Sequence, residues 1–268
     1  MNIEIDNLLN DDIYKEMRTP LFLRMIKNPP PWAFDKIQVW DSQHQFQASA
    51  FIRRHYWTSQ GSVNVFQVVG TAHQQYQNRP WIDLLISGKR MDINLPLQEK
   101  KPEYYRETKS KLPMMYFNTF DGIHYYIGQD GNHRTCIAKF MFYETGETQL
   151  HGVTINHYDI DEAFYLIYCE LLEKITQLGL SVVLTAESKP IKREDTAGWM
   201  TDYFDTHLCW KEYNRENHQE IIEVLNREQA SQKLFELTAQ LSLTQTPKTV
   251  KKSLLQRIKA YLFRDIKD

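Results

Sequence analysis

Apolar residues recur every three or four positions through DEAFYLIYCELLEKITQLG, where Phe164, Ile167, Tyr168, Leu171, Leu172 and Ile175 share one face and Gly179 follows as a stop. That spacing predicts an amphipathic helix over 161–179. A similar period marks RTCIAKFMFYETG, with Ile137, Phe140 and Met141 on one side and Gly146 at the end. PWIDLLISGKR also reads as a helix, with Pro80 suited to a first helical position and Gly88 to a C-cap. A short helix is expected around Leu8–Ile26, broken at Pro20 and stopped by NPPPW, and FQASAFIRRHYW reads as another.

Alternation with period two predicts strands in FDKIQVW, SVNVFQVVG, HGVTINHYDI and SVVLTA. The strongest short-range signal is a hairpin, PMMYFNTF and IHYYIG joined by Asp121-Gly122, a pair that supplies the positive φ angles of a tight turn. Beyond Ser188 the chain becomes a polar and aromatic mixture with no clean period, followed by helical stretches around Ile221–Leu225 and Leu234–Leu241. These elements predict an α/β or α+β fold with a small mixed sheet. Two regions are expected: 1–187, an α/β domain with an N-terminal embellishment, and 188–268, mostly helical.

Composition narrows the class of protein. Of 268 residues, 42% are hydrophobic and 25% charged, the balance of an ordinary globular chain. A formal net charge of -2 means that any nucleic-acid footprint must be local. Cys136, Cys169 and Cys209 are odd in number and lack CxxC spacing, which fits a reducing compartment and a cytoplasmic location. The acidic start MNIEIDNLLNDDIYKEM is unlike a secretory signal, and no apolar run approaches the roughly 20 residues of a membrane span. The tail carries Lys248, Lys251, Lys252, Arg257, Lys259, Arg264 and Lys267 beside an apolar stripe of Leu254, Leu255, Ile258 and Leu262. Such a helix can pair with another helix, lie on an anionic membrane or touch DNA; packing onto the body or onto a second subunit is the favoured expectation, with a homo-oligomer through the C-terminal helices as one form of it.

Candidate chemistry concentrates in YYIGQDGNHRTCIAKF, residues 125–140. A strand that ends in glycines at the mouth of a helix presents unpaired N–H groups at the positive end of the helix dipole, an arrangement suited to phosphate. Gly128 and Gly131 permit a sharp turn and close approach, Asn132 caps or tolerates strain, Arg134 forks onto phosphate oxygens, and His133 donates a bond or carries a proton. Asp130 has three readings: Mg²⁺ ligand, general base, or partner of Arg134 or His133. The plainer reading is a turn in which Asp130 or Asn132 caps a helix. His133/Cys136 with His207/Cys209 could supply four metal ligands, but the spacings match no zinc module. In FIRRHYW, Arg53, Arg54 and His55 with Tyr56 and Trp57 either contact phosphates and bases or form the basic face of a helix.

The turn Asp130-Gly131-Asn132-His133-Arg134, set between a hairpin and a returning strand, resembles the ParB/sulfiredoxin superfamily over about residues 112–160. It looks like the DGQHR and DGHHR versions found in DNA-modification-associated proteins and in free-serine kinases. The resemblance implies a small mixed sheet of ParB/sulfiredoxin type that holds nucleotide phosphates, as ParB holds CTP, sulfiredoxin ATP and the serine kinases ADP. By likeness, Gly131, Asn132, His133, Arg134 and Thr135 are the phosphate-binding set, and Asp130 and His133 the candidate catalytic groups. The implied cofactors are Mg²⁺ and a nucleotide such as ATP, ADP or CTP. The expected function is nucleotide-phosphate binding, with NTPase or nuclease action on DNA as its enzymatic form. The alternatives are a non-catalytic DNA- or protein-binding module and a small-molecule kinase; in the kinase reading Asp92, Glu99 or Glu103 supplies the facing carboxylate. A role on mobile elements is an expectation by association. Asn132 stands where sulfiredoxin has its catalytic cysteine, and Thr135 where ParB has a second arginine, so neither of those activities is implied.

Overall fold

Residues 12–214 and 219–245 are described by a computed structural model, in which the chain divides into two units. The first comprises Met1–Ile160 with Pro190–Phe204, and the second Asp161–Lys189 with Asp205–Asp268. The basic tail from Lys248 to Lys267, on which the expected oligomer rests, lies outside the described residues, as do residues 8–11 of the expected first helix.

In the first unit the strands are β1 (Gln38–Val39), β2 (Ile52–Asn64), β3 (Val68–Thr71), β4 (Tyr116–Thr119), β5 (Tyr125–Ile127) and β6 (Gln149–Ile160), joined by the tips of β7 (Val182–Thr196) and β8 (Trp199–Asn214). They lie in the order β1-β3-β5-β4-β6-β2-β8-β7. β3 is parallel to β1 and β5, and β4 to β6. β4–β5, β2–β8 and the long β2–β6 pairing are antiparallel, so the sheet is mixed and mostly antiparallel, consistent with an α+β class. The helices are α1 (Pro20–Lys27), α2 (Ser42–Gln47), α3 (Trp81–Ser87), α4 (Met91–Lys100), α5 (Glu103–Arg106) and α6 (Asn132–Thr145).

The expected hairpin forms around Asp121-Gly122 by local hydrogen bonding. Gly122 has φ 72°, its amide donates to Thr119 Oγ1, and Asp121 Oδ1 accepts from the Ile123 and His124 amides. β4 and β5 then pair with Phe117 opposite Ile127. α6 follows, closes at Gly146 and is buried from Thr135 to Phe142. Its side chains join Phe117, Ile127, Val153 and Ile155 in one apolar cluster with Trp81, Leu84 and Leu85 of α3.

FQASAFIRRHYW is largely a strand and not the helix its period predicts: α2 and a 3-10 turn at Ser49–Phe51 end before Ile52, where β2 begins. His55, Tyr56 and Trp57 lie opposite Tyr158, His157 and Asn156 of β6. Aromatic side chains suit such cross-strand pairs, and this long-range pairing outweighs the local period.

The second unit contains α7 (Glu162–Leu178), the base of the β7–β8 hairpin, β9 (Gln219–Leu225) and α8 (Arg227–Gln245). Asp161 caps α7 by accepting the Phe164 amide at 3.1 Å and pairs with Arg227 at 3.2 Å, while Gly179 ends the helix with φ 62°. Phe164, Leu171, Ile175, Leu208, Trp210, Leu225, Ala230 and Leu237 are buried in this unit. Among the described residues from 188 onward, a stretch expected to be mostly helical, strands run to Thr196, over Trp199–Asn214 and over Gln219–Leu225, and the helix is Arg227–Gln245. β7 from Glu187 to Thr196 is exposed at every position, so no apolar alternation marks it. Among the described residues no helix is long and apolar enough to cross a membrane.

Candidate functional site

The turn between β5 and α6 is held against β4 at both ends: the Gly128 amide donates to the Tyr116 carbonyl at 2.7 Å, and the Tyr116 amide to the Asp130 carbonyl at 3.2 Å. A Cβ on Gly128 would stand 3.1 Å from Tyr116 Cβ, so a side chain there would press on β4. Gly131 is the N-cap of α6 with φ 119°, a left-handed conformation that favours glycine. The first bond inside the helix is Thr135 N–H to Gly131 C=O at 2.8 Å, and Gly131 gives no side-chain cap. The amides of Asn132, His133 and Arg134 therefore have no acceptor within the helix.

The five residues after Asp130 diverge. Asn132 is buried and accepts from Thr71 Oγ1 at 2.7 Å, tying α6 to the end of β3. His133 Nε2 is 3.0 Å from the Tyr76 hydroxyl, and burial, with Arg90 nearby, lowers its pKa and keeps the ring neutral at pH 7. Arg134 turns to the opposite side. Its Nη1 donates to Tyr104 Oη at 2.7 Å and to the Pro113 carbonyl; its Nη2 reaches the Met114 carbonyl at 3.4 Å and Asp130 Oδ2 at 3.2 Å. The guanidinium fork is thus occupied in fastening the 104–114 segment. Asp130 Oδ1 accepts from the Gly131 amide at 2.6 Å, so its carboxylate is engaged on both oxygens. Thr135 is fully buried, and its hydroxyl has no hydrogen-bond partner among the described residues.

A cleft of about 570 Å³ begins where this turn does. Gly128 and Gln129 form one wall. Trp40, Tyr116 and Tyr158 supply rings, Gln45, Asn118 and Asn156 supply amides, and Ser42, Ala72 and His73 complete the lining. Trp40 is fixed by stacking on Phe120 at 4.3 Å between centroids and by an Nε1–H bond to Gln45 Oε1 at 3.0 Å. Asn156 Nδ2 donates to Asn118 Oδ1 at 3.3 Å, and the Asn156 side chain also bonds His55, which leaves the Asn118 amide N–H groups as the donors turned to the cleft. His73 stacks on Tyr76, and its Nδ1 is buried with no hydrogen-bond partner among the described residues.

Two other cavities are built around cations. Arg134 lines one of about 240 Å³ with Leu97, Lys101, Tyr104 and Leu112. Lys139, on α6, lines another of about 380 Å³; its Nζ donates to the Val65 and Val68 carbonyls at 3.0 and 2.8 Å and lies 4.5 and 5.2 Å from the centres of Trp81 and Trp32. Burial pushes its pKa down to about 8. Both cations are anchors of irregular backbone, a role that neither composition nor spacing signals.

Asp92, Glu99 and Glu103 are exposed on α4 and α5, and none lines the cleft. Cys136 is buried, its thiol directed to the Trp81 carbonyl and its pKa raised by burial, while His207 pairs with Glu187 in the second unit. Among the described residues no group of three or more His, Cys, Asp or Glu is placed to hold a metal ion. The cleft residues Trp40, His73, Asn118, Asn156 and Tyr158 were not picked out by sequence reasoning. The mark for two of them was an Asn directly after an apolar strand residue, in Phe117-Asn118 and Ile155-Asn156, which alternation sets on the opposite face. No protein-family model, characterised protein or solved structure matches the chain.

Proposed function

We propose that the first unit is a nucleotide-phosphate-binding module, with hairpin, turn, helix and returning strand in the ParB/sulfiredoxin manner. The observation that carries this reading is the cleft of about 570 Å³, lined by rings and amides and bordered by Gly128 and Gln129 at the start of the glycine turn. Its volume falls within the roughly 300–1,000 Å³ of small-ligand sites. Gly128 and Gln129 of the wall begin the turn that opens α6, whose first amides, those of Asn132, His133 and Arg134, have no acceptor within the helix and stand at the dipole end that favours phosphate. The half-buried Tyr116 and the exposed edge of Tyr158 offer apolar surface to a base, and Asn118 and Gln129 offer donors and acceptors to its edge. His73 adds a ring nitrogen to the wall.

Holding rather than cleaving is the form the residues favour. Asp130 is bound to Arg134 and the Gly131 amide, and His133 to Tyr76, so both candidate catalytic groups are already committed. The cleft wall is made of amides, rings, a hydroxyl and an imidazole, with no carboxylate for Mg²⁺. This donor set does not fit a protein-held Mg²⁺; the ion would arrive on the phosphates.

A thermal-shift series with ATP, ADP, CTP and GTP, each with and without Mg²⁺, tests the reading on the parent and on Asn118→Ala. A nucleotide at a hundred times its dissociation constant should stabilise the parent by about 2.7 kcal/mol. Asn118→Ala should lose the gain while changing its unliganded melting temperature little. No shift with any of the four nucleotides sinks the proposal.

A further inference from the structure

The cavity of about 240 Å³ between α4 and the 104–113 segment has a bare aliphatic rim. Leu97 of α4 is 51% exposed and Leu112, which shares the lining, is 79% exposed. Ile93, one turn before Leu97 and on the same face of α4, is 56% exposed. Lys100 and Lys101 follow Leu97 at the spacing that keeps them on its face, whereas Asp92 and Glu99 fall on the far side of the helix. Lys101 lines the cavity itself, no carboxylate does, and neither lysine forms an ion pair among the described residues. Arg134 stands at the floor with its fork already engaged, so the cation open to a partner is Lys101. Exposed apolar side chains gathered round a cavity mark a contact surface, and here that surface asks for an apolar and acidic occupant.

The chain carries such a segment next to the cavity. The described residues begin at Asp12, and the 3-10 turn Asp12–Met17 packs against α4. The stretch before it, MNIEIDNLLND, holds Met1, Ile3, Ile5, Leu8 and Leu9 beside Glu4, Asp6 and Asp11, with no basic side chain. A stretch of this length can span up to about 36 Å, whereas α4 is only about 15 Å long. It therefore starts on the right helix with enough chain to reach the cavity.

We propose that residues 1–11 dock on this surface as a strap, with the Leu8–Leu9 pair over the Leu97–Leu112 rim and the carboxylates toward Lys100 and Lys101. The strap ties α4 to the 104–113 segment from outside, as Arg134 fastens that segment from within. A second copy of the same face would bring lysine against lysine, and a nucleic acid would meet leucines where it needs cations. The inference is independent of the nucleotide reading of the cleft.

Thiol reactivity in the full chain tests the strap. Asn94→Cys places a thiol in the cavity lining, and Cys169→Ser removes the half-buried native cysteine, since Cys136 and Cys209 are buried. That thiol should react with an aromatic disulfide reagent about tenfold more slowly than in the same chain carrying Leu8→Asp and Leu9→Asp. A synthetic peptide MNIEIDNLLND, added to the doubly substituted chain, should restore the slow rate. Lys101→Glu, at an exposed position that leaves the fold alone, should speed the reaction a few-fold, and Lys101→Arg should not. Equal rates with and without the Leu8 and Leu9 substitutions overturn the proposal, as does a Lys101→Glu rate equal to that of Lys101→Arg. A slow rate that rises on dilution of the protein overturns it in favour of a segment supplied by a second copy.

Discussion

The two faces of β4, β5 and β6 are built from different chemistry. Phe117, Ile127 and Ile155 turn one way and are buried with α6, whereas Asn118, Tyr126, Asn156 and Tyr158 turn the other way and stay partly exposed. The first set is what stabilises the sheet, because burial of apolar area is the dominant favourable contribution to folding. The second set is spared that duty, so its amides and rings are available to a ligand. The turn at Asp130–Arg134 sits where the two faces meet. It sends Arg134 into the framework, while Gly128 and Gln129 just before it border the cleft.

Four measurements would break or sharpen this contrast. The largest effect is expected on the packed face, where Phe117→Ala should cost about 3–5 kcal/mol in urea unfolding. Next comes Arg134→Ala, which strips a guanidinium with only 11% of its side chain exposed from three backbone or hydroxyl acceptors and a carboxylate. A loss of about 3 kcal/mol is expected, and Arg134→Lys should recover less than half, because an ammonium lacks the fork. If Arg134→Ala instead leaves stability intact and abolishes nucleotide binding, Arg134 belongs to the ligand and the division of the turn is wrong.

A smaller effect attaches to Lys139, whose folded pKa of about 8 lies below the unfolded value of 10.5. Between those values the unfolded chain keeps a proton that the folded chain has shed, so stability rises with pH and is lost as pH falls toward 8. A gain of about 1.5 kcal/mol is expected from pH 8 to 9.5, read by denaturant midpoints, and Lys139→Met should flatten it. The smallest effect belongs to the open face. Asn118→Ala should change stability by no more than about 0.5–1 kcal/mol, yet abolish the nucleotide-induced thermal shift. A large loss of stability there would show that the open face also holds the fold.

The elements legible in the sequence were those fixed over a few residues. Asp121-Gly122 specified its hairpin through bonds that close within three positions, and Gly146 and Gly179 ended α6 and α7 where expected. SVVLTA marked the start of β7, but β2 was read as helix because its bonds go to strands far along the chain, as in Arg54 opposite both Asp159 and Tyr203, and the rest of β7, with β8 and β9, carried no clean apolar alternation. The exposed Ile221, Ile222 and Val224 of β9 read as helical although such β-branched residues favour strand. At the site, the glycines and the helix opening were visible. The occupation of Arg134 was not, because its acceptors lie 20 and 21 positions upstream.

By itself the sequence determined where α6 begins, that glycine stands at the turn before it, and which residues crowd that turn. These depend on φ preferences, capping and a 3.6-residue period, all of which act between near neighbours. Only the tertiary structure decided that Asn132, His133 and Arg134 are spent on bonds to Thr71, Tyr76 and the 104–114 segment. It alone brought Trp40, His73, Asn118, Asn156 and Tyr158 into one wall. Strand pairing and packing join positions through space, and the energy of each pairing depends on a partner that no local window contains.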